Sequence, residues 1–248
     1  KKYEGFTKFK NTDQKKYIAG NFTDRCNIIY KKVLKKIIKK NSIILDYGSS
    51  NGAMIEPLIN EKKSFFIEAC DIKNILSSKI KKNKKFLKFN YSKNFFSNKN
   101  SDNKYDLITL IHVFEHLTNP LSSLISLSKK LNKSGKIFIQ IPNFIENPYD
   151  LTVYDHTAHY TKESIFNIAM YAGLKVEKLV NNIIDCEFSI LLSKNIQSNN
   201  KKVILNNRYV FNKVLKNYIK SMNWLKKQIF FLKDLKELNI LGTSISAT

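Results

Sequence analysis

Arginine is nearly absent. Arg25 and Arg208 are the only two among 43 basic residues, so 41 of those are lysine, and with 20 acidic residues the formal net charge is +23. Such an excess does not by itself make a nucleic-acid surface. Bidentate reading of phosphates and base edges belongs to the guanidinium fork, whereas lysine is a hydrated point charge. The lysines are spread over the whole chain among asparagine and isoleucine, with no interleaved arginine and aromatic patch, so composition is the preferred explanation. Cysteine is scarce as well: Cys26, Cys70 and Cys186 are far apart, odd in number and without a C-x-x-C pair. That excludes a disulfide framework and a thiolate zinc site, and it fits a reducing, cytoplasmic compartment. No run of about 18 apolar residues occurs, so no membrane span is expected. The opening Lys1-Lys2-Tyr3-Glu4-Gly5 lacks the apolar stretch of a secretion signal and, starting without Met, reads as a trimmed end. With 43% hydrophobic and 12% aromatic residues over 248 positions, the chain can build a core, which excludes disorder.

The apolar pattern divides the chain. Residues 1–40 read as a lid followed by a helix from Phe22 to Lys40, capped by Thr23, with Ile28/Ile29, Val33/Leu34 and Ile37/Ile38 at helical spacing. From 41 to 196, short apolar runs alternate with helical stretches: strands at 42–46, 64–70, 85–89, 105–111, 136–141, 173–176 and 188–193, and helices at 51–60, 120–131 and 162–172. Alternation of this kind predicts an α/β fold, a Rossmann-like, mostly parallel seven-stranded sheet with helices on both faces. Ligands of such sheets lie at the carboxyl ends of the strands. A polar linker follows, then a long amphipathic helix over 203–240, in which Phe211, Leu215, Tyr218, Met222, Leu225, Ile229 and Leu232 form a heptad seam. The seam suits either packing on the same domain or a homodimer. Residues 241–248 read as the start of a further, truncated domain.

The most specific local signal is Ile43-Ile44-Leu45-Asp46-Tyr47-Gly48-Ser49-Ser50-Asn51-Gly52, a strand running into D-x-G-x-x-x-G. Glycine there allows a tight turn and a close approach of backbone to ligand. An acid at the strand end would repel a pyrophosphate, which disfavours a nicotinamide dehydrogenase and suits a cation or a hydroxyl-rich ligand. About 20 residues on, Asp71 ends the next strand, where a carboxylate can accept ribose hydroxyls.

These segments resemble the class I S-adenosylmethionine-dependent methyltransferases over about residues 40–195. Ile44–Gly52 is similar to the first motif of that family and Ala69-Cys70-Asp71-Ile72 to its acidic second. Lys104–Leu117, with Glu115-His116-Leu117, resembles the fourth strand and its continuation; Leu131–Asn143 resembles the following segment. The resemblance implies a cofactor, S-adenosyl-L-methionine, held by the backbone around Tyr47, Gly48, Ser49, Asn51 and Gly52. Asp46 would lie near its amino group, Asp71 on its ribose and Ile72 on its adenine. Asn90 and Tyr91, placed after the third strand, would face the adenine amine, with Arg25 pairing with its carboxylate and His112 also in the cofactor set.

All four histidines, His112, His116, His156 and His159, fall in segments that follow the fourth and fifth strands. Histidine titrates nearest neutral pH and suits removal of a hydroxyl proton. His159 and His156, then His112, are the candidate catalytic bases, with Asp155 as the carboxylate that orients them. The segment Asp155-His156-Thr157-Ala158-His159-Tyr160-Thr161 also resembles a branch of the family acting on sugars of bacterial surface glycans. In that branch the loop lines the acceptor pocket, which here nominates His116, Tyr149, Tyr154 and Tyr160. A rival use of Glu115, His116, Asp155, His156 and His159 is to bind a divalent metal, Mg or Mn. The expected reaction is O-methylation of a nucleotide-linked sugar for capsule or surface polysaccharide. The alternatives are C- or N-methylation of another small molecule, a nucleic-acid methyltransferase, and a non-catalytic scaffold working through the heptad helix. The nucleic-acid reading lacks the Asn/Asp-Pro-Pro-aromatic motif, since Ile111-His112-Val113-Phe114 occupies that place.

Overall fold

A computed structural model describes residues 15–18, 21–95, 104–195 and 207–232. The aromatics of residues 1–14, the linker at 196–206 and everything after 232 lie outside the described residues. A small antiparallel hairpin, β1 (Lys15–Ile18) and β2 (Asn21–Asp24), precedes the first helix. The helix expected from Phe22 therefore starts later, at Arg25, and Thr23 does not cap it, because residues 21–24 pair with β1. It runs as α1 (Arg25–Ile29), a π turn (Tyr30–Leu34) and α2 (Lys35–Ile37).

The seven-stranded sheet comprises β3 (Ile43–Tyr47), β4 (Phe66–Asp71), β5 (Phe86–Tyr91), β6 (Tyr105–Ile111), β7 (Leu131–Pro142), β8 (Leu174–Val180) and β9 (Glu187–Lys194). Its order is β5-β4-β3-β6-β7-β9-β8. The first five strands in that order are parallel, and β9 is antiparallel to both neighbours. In β3, four consecutive residues from Ile44 to Tyr47 are buried, as expected of a parallel strand covered on both faces. One face packs under α6 (Pro120–Lys129) and α7 (Lys162–Tyr171), where Leu124, Leu127, Ile165 and Ala169 meet Ile137 and Ile139. The other packs under the first helix, α3 (Ile55–Ile59) and α4 (Ser78–Lys81), through Leu34, Ile55, Leu58 and Ile80 on Ile44 and Ile67. Each such aliphatic side chain contributes about 1.5–3 kcal/mol on burial. Thr161 and Ser164 close a capping box that starts α7.

The helix expected at 51–60 shortens to α3, because Ser50 and Gly52 have φ of 45° and 89°, outside the helical region. Asn90 and Tyr91 belong to β5 itself rather than to the loop beyond it. The C-terminal helix, the last described, spans Asn207–Leu232. Val214 is buried, and Tyr218 meets Tyr149 edge to face at 5.9 Å, which seats the helix on the 148–152 segment. Phe211, Leu215 and Met222 of the heptad seam are exposed.

Candidate active site

The strand order reverses between β3 and β6, and that is where a doubly wound sheet opens a crevice. The turn after β3 is pinned to β4: Gly48 N and Ser49 N both donate to the Cys70 carbonyl, at 2.7 and 3.1 Å. Gly48 has φ +81°, and a Cβ there would lie 2.2 Å from Val113 Cγ2. Both facts demand glycine. Asp71 splints the same turn from the tip of β4, accepting from Ser50 N at 2.7 Å and from Ile72 N at 2.6 Å. Ile72 is exposed beside it. Asp46 is buried and accepts the Thr109 hydroxyl at 2.7 Å. Burial, with the Asp71 charge adding to it, pushes its pKa up to about 7, against the pull of the Thr109 hydrogen bond. The Ser49 hydroxyl is buried with no hydrogen-bond partner, and Asn51 Oδ1 accepts from Ala53 N at 3.2 Å. Tyr47 is buried with its ring 5.8 Å from Phe95, and burial raises its phenol to about 12.

Beyond β6 a largely buried polar ladder crosses the carboxyl ends of β6 and β7 and the amino end of β9. Arg25 Nη2 pairs with Glu187 Oε1 at 3.0 Å, His112 Nε2 meets Glu187 Oε2 at 3.1 Å, and His112 Nδ1 meets Glu115 Oε1 at 3.1 Å. Gln140 Nε2 donates to Glu187 at 2.9 Å. Burial and Arg25 push the His112 pKa down, but Glu187 and Glu115 outweigh them and raise it to about 9. His112, expected as a candidate base, faces a carboxylate from each ring nitrogen, which favours its charged form. Arg25, expected to pair with the cofactor carboxylate, pairs with Glu187 through Nη2. His112 has φ 52°, a strained value for a side-chain-bearing residue.

The 150s loop is stitched onto the 3-10 turn Phe114–His116: Thr157 N donates to the Glu115 carbonyl at 2.8 Å, and Thr157 Oγ1 to the Leu117 carbonyl at 2.9 Å. Within it, Asp150 faces two histidines, His156 Nδ1 at 2.8 Å from Oδ1 and His159 Nδ1 at 2.7 Å from Oδ2. Burial opposes the ionised form of Asp150, yet the two imidazoles hold its pKa below the usual carboxylate value. The carboxylate that orients these histidines is therefore Asp150 and not Asp155. Asp155 instead faces His116, whose Nδ1 lies 3.0 Å from the Asp155 carbonyl oxygen and 3.6 Å from Oδ2.

Three of the acceptor-lining assignments change or narrow. Tyr160 is buried, stacked on Phe114 at 5.0 Å, with its hydroxyl donating to the Phe114 carbonyl, so it belongs to the core. Tyr154 is 96% exposed among the described residues. Tyr149 packs against the C-terminal helix. Asn90 turns its amide inward, donating to Glu68 Oε2 at 3.1 Å and to the Ala69 carbonyl at 3.2 Å, rather than outward to an adenine. Sequence reasoning missed Asp150, Glu187 and Glu68. None of the three is a motif position; Glu68 and Glu187 find their partners on other strands and turns, and Asp150 finds its two within its own loop. Among the described residues, two groups of three side chains could hold a metal ion: Glu115, His116 and His156, and Asp150, His156 and His159, with ligand atoms in each group within 4.8 Å of one another.

Sheet order, the glycine turn after β3 and the acid at the tip of β4 together define a Rossmann-like nucleotide-cofactor enzyme of the S-adenosylmethionine-dependent methyltransferase class. The residues fit that cofactor: a buried acid poised near neutrality for an ammonium group, an orphaned Ser49 hydroxyl, a carboxylate and an exposed Ile72 for a nucleoside. Residues 22–179, more than half of the chain, match the family described as "Methyltransferase domain", and the chain belongs to that family. No curated protein matches it. Among solved structures it is similar to an S-adenosylmethionine-dependent methyltransferase from Clostridium acetobutylicum, at 15% identity and TM-score 0.53, covering 68% of this chain and 90% of that one. It is similar also to one from Aquifex aeolicus, at 21% identity and TM-score 0.53, covering 68% and 91%. The CcbJ methyltransferase from Streptomyces caelestis aligns at 10% identity and TM-score 0.55, covering 68% and 94%. These likenesses show the fold. Among the described residues no helix is long and apolar enough to cross a membrane.

Proposed function

We propose that this methyltransferase acts on a hydroxyl oxygen of a small acceptor, a nucleotide-linked sugar used in building surface polysaccharide, with His159 as the proton acceptor. The observation that carries the reading is the Asp150–His159 contact. With Nδ1–H held by the carboxylate at 2.7 Å, the tautomer is set and Nε2 keeps its lone pair. The cofactor supplies an electrophilic methyl group on a positively charged sulfur. The protein then has to align the acceptor oxygen and take its proton, since a neutral hydroxyl is a poor nucleophile at pH 7. His159 takes the proton at Nε2, and Asp150 stabilises the imidazolium that forms. The stitching of the 150s loop to Glu115 and Leu117 holds the base in place. A diphosphate on the acceptor suits the lysine excess, which attracts anions without base-specific contacts.

The test is a mass-spectrometric screen of nucleotide sugars with S-adenosylmethionine, using wild type and His159→Gln. The expected result is a methylated nucleotide sugar whose turnover falls about 10²–10⁴-fold in the variant, with S-adenosylhomocysteine affinity unchanged. Full turnover in His159→Gln removes the base role, and methylation confined to amine or nucleic-acid acceptors removes the acceptor class.

A further inference from the structure

We propose that the outer face of the C-terminal helix is a docking surface for an anionic phospholipid bilayer, on which the helix lies without crossing it. The helix (Asn207–Leu232) turns one side to the domain. Val214 is buried there, and Val210, Tyr218, Ser221, Leu225 and Gln228 are partly buried. These six recur at helical spacing and form the inner face, seated by the contact between Tyr218 and Tyr149. Phe211, Leu215, Ile219 and Met222 step by four, four and three along a second stripe, and among the described residues they are 37–50% exposed.

Charge decides what covers that stripe. The helix sequence carries Arg208, Lys213, Lys216, Lys220, Lys226 and Lys227 and not one acidic residue, whereas the whole chain has 20 acids for 43 bases. Lys213, Lys216, Lys220 and Lys227 share one row beside the apolar stripe. Ile219 and Trp224 wall a shallow open groove in which Lys216, Lys220, Asn223 and Lys227 lie between them. Aliphatic side chains beside a lysine row, with an indole at its border, suit a helix lying in a headgroup layer. The aliphatic groups enter the acyl boundary, the lysine stems lie along it, and the ammonium groups meet lipid phosphates. A second copy of the helix would set lysine against lysine with no acid of its own to pair them. A polynucleotide would satisfy the lysines but offer Leu215, Ile219 and Met222 no apolar layer.

The surface is independent of which acceptor is methylated and of the role given to His159. It fixes how the molecule is held. The inner face of the same helix meets the Pro148–Thr152 turn, which includes Asp150, so docking places that turn about one helix diameter, ~10 Å, from the headgroups.

The experiment uses the whole chain with vesicles of phosphatidylcholine alone and of equal parts phosphatidylcholine and phosphatidylglycerol. A net charge of +23 draws the molecule toward any anionic surface, so the readout has to be local. Trp224, the only tryptophan of the chain, supplies it. Flotation is expected with the anionic vesicles and not with the neutral ones. Tryptophan emission should shift to the blue and be quenched by lipids brominated near the headgroup. Ile219→Glu, and separately Lys216→Gln with Lys220→Gln, should each weaken binding at least ~10-fold. Lys39→Gln with Lys40→Gln removes the same charge before the amino end of β3 and should keep binding within about threefold. Melting curves check that each variant folds, and should one fail, quenching of wild-type Trp224 decides. No flotation with anionic vesicles, flotation without a change in Trp224 emission, or equal losses in the two lysine pairs would overturn the surface. So would dimerisation that Ile219→Glu abolishes in a chain that ignores vesicles, or a Trp224 shift with duplex DNA or RNA but not with anionic vesicles.

Discussion

Asp46 and Thr109 face each other in register across the β3–β6 pair, and the threonine hydroxyl donates to Asp46 Oδ1 at 2.7 Å. One hydroxyl is too little to solvate a carboxylate removed from water, so burial lifts the pKa from 3.8 to about 7. The folded state therefore holds the proton longer than the unfolded chain. Stability falls as pH rises from about 4 to about 7, by an amount approaching ~4 kcal/mol, and is level above that.

Wild type should accordingly lose stability relative to Asp46→Asn across that window, read as the difference between their melting temperatures. Ionised Asp46 is the form that attracts an ammonium group. S-adenosylhomocysteine should therefore bind wild type more tightly at about pH 8 than at about pH 6, and Asp46→Asn should flatten that dependence. A parallel pH profile for the two proteins would count against a buried, proton-holding Asp46.

Gly48→Ala places a methyl group 2.2 Å from Val113 Cγ2 at a φ of +81°. The expected loss is about 1–3 kcal/mol in denaturant unfolding, with cofactor binding impaired because the turn must move. Adding Val113→Ala should recover the steric part and leave the backbone strain, so the double variant should be more stable than Gly48→Ala alone. Equal stability of the two would show that Val113 does not set the limit.

Glu187→Ala leaves the buried Arg25 and the partly exposed His112 without the carboxylate between them, and Gln140 without its acceptor. Breaking a buried pair in this way costs about 3–5 kcal/mol. Glu187→Gln keeps the shape and a hydrogen-bonding oxygen, so it should lose less. Chemical denaturation orders the three proteins, and a Glu187→Ala variant as stable as wild type would show that the ladder contributes nothing.

The inner strands of the sheet are legible because their buried runs are continuous and short, as at residues 44–47 and 107–110, whereas the edge strands β5 and β8 are partly exposed. Helix starts were less so. The helical pattern begins at Phe22, but residues 22–24 pair with a neighbouring strand. The 51–60 helix lost its first turn to the positive φ of Ser50 and Gly52, which the cofactor turn requires. Clustering of the histidines was visible in the chain, yet their partners were not. Asp150 rather than Asp155 reaches His156 and His159, although Asp155 is the nearer in sequence to both.

From sequence alone came the alternating α/β order, the glycine turn after β3, the acids at two strand tips and the grouping of histidines after β6 and β7. Periodicity and backbone demands are local, and a linear pattern records them. Which charge meets which was decided by the tertiary structure. It set His112 between two glutamates, paired Arg25 with Glu187, sent Tyr160 into the core and left both oxygens of the Glu115 carboxylate without a hydrogen bond. Those outcomes depend on distances between segments remote in the chain and on removal from water, and neither is written in the order of residues.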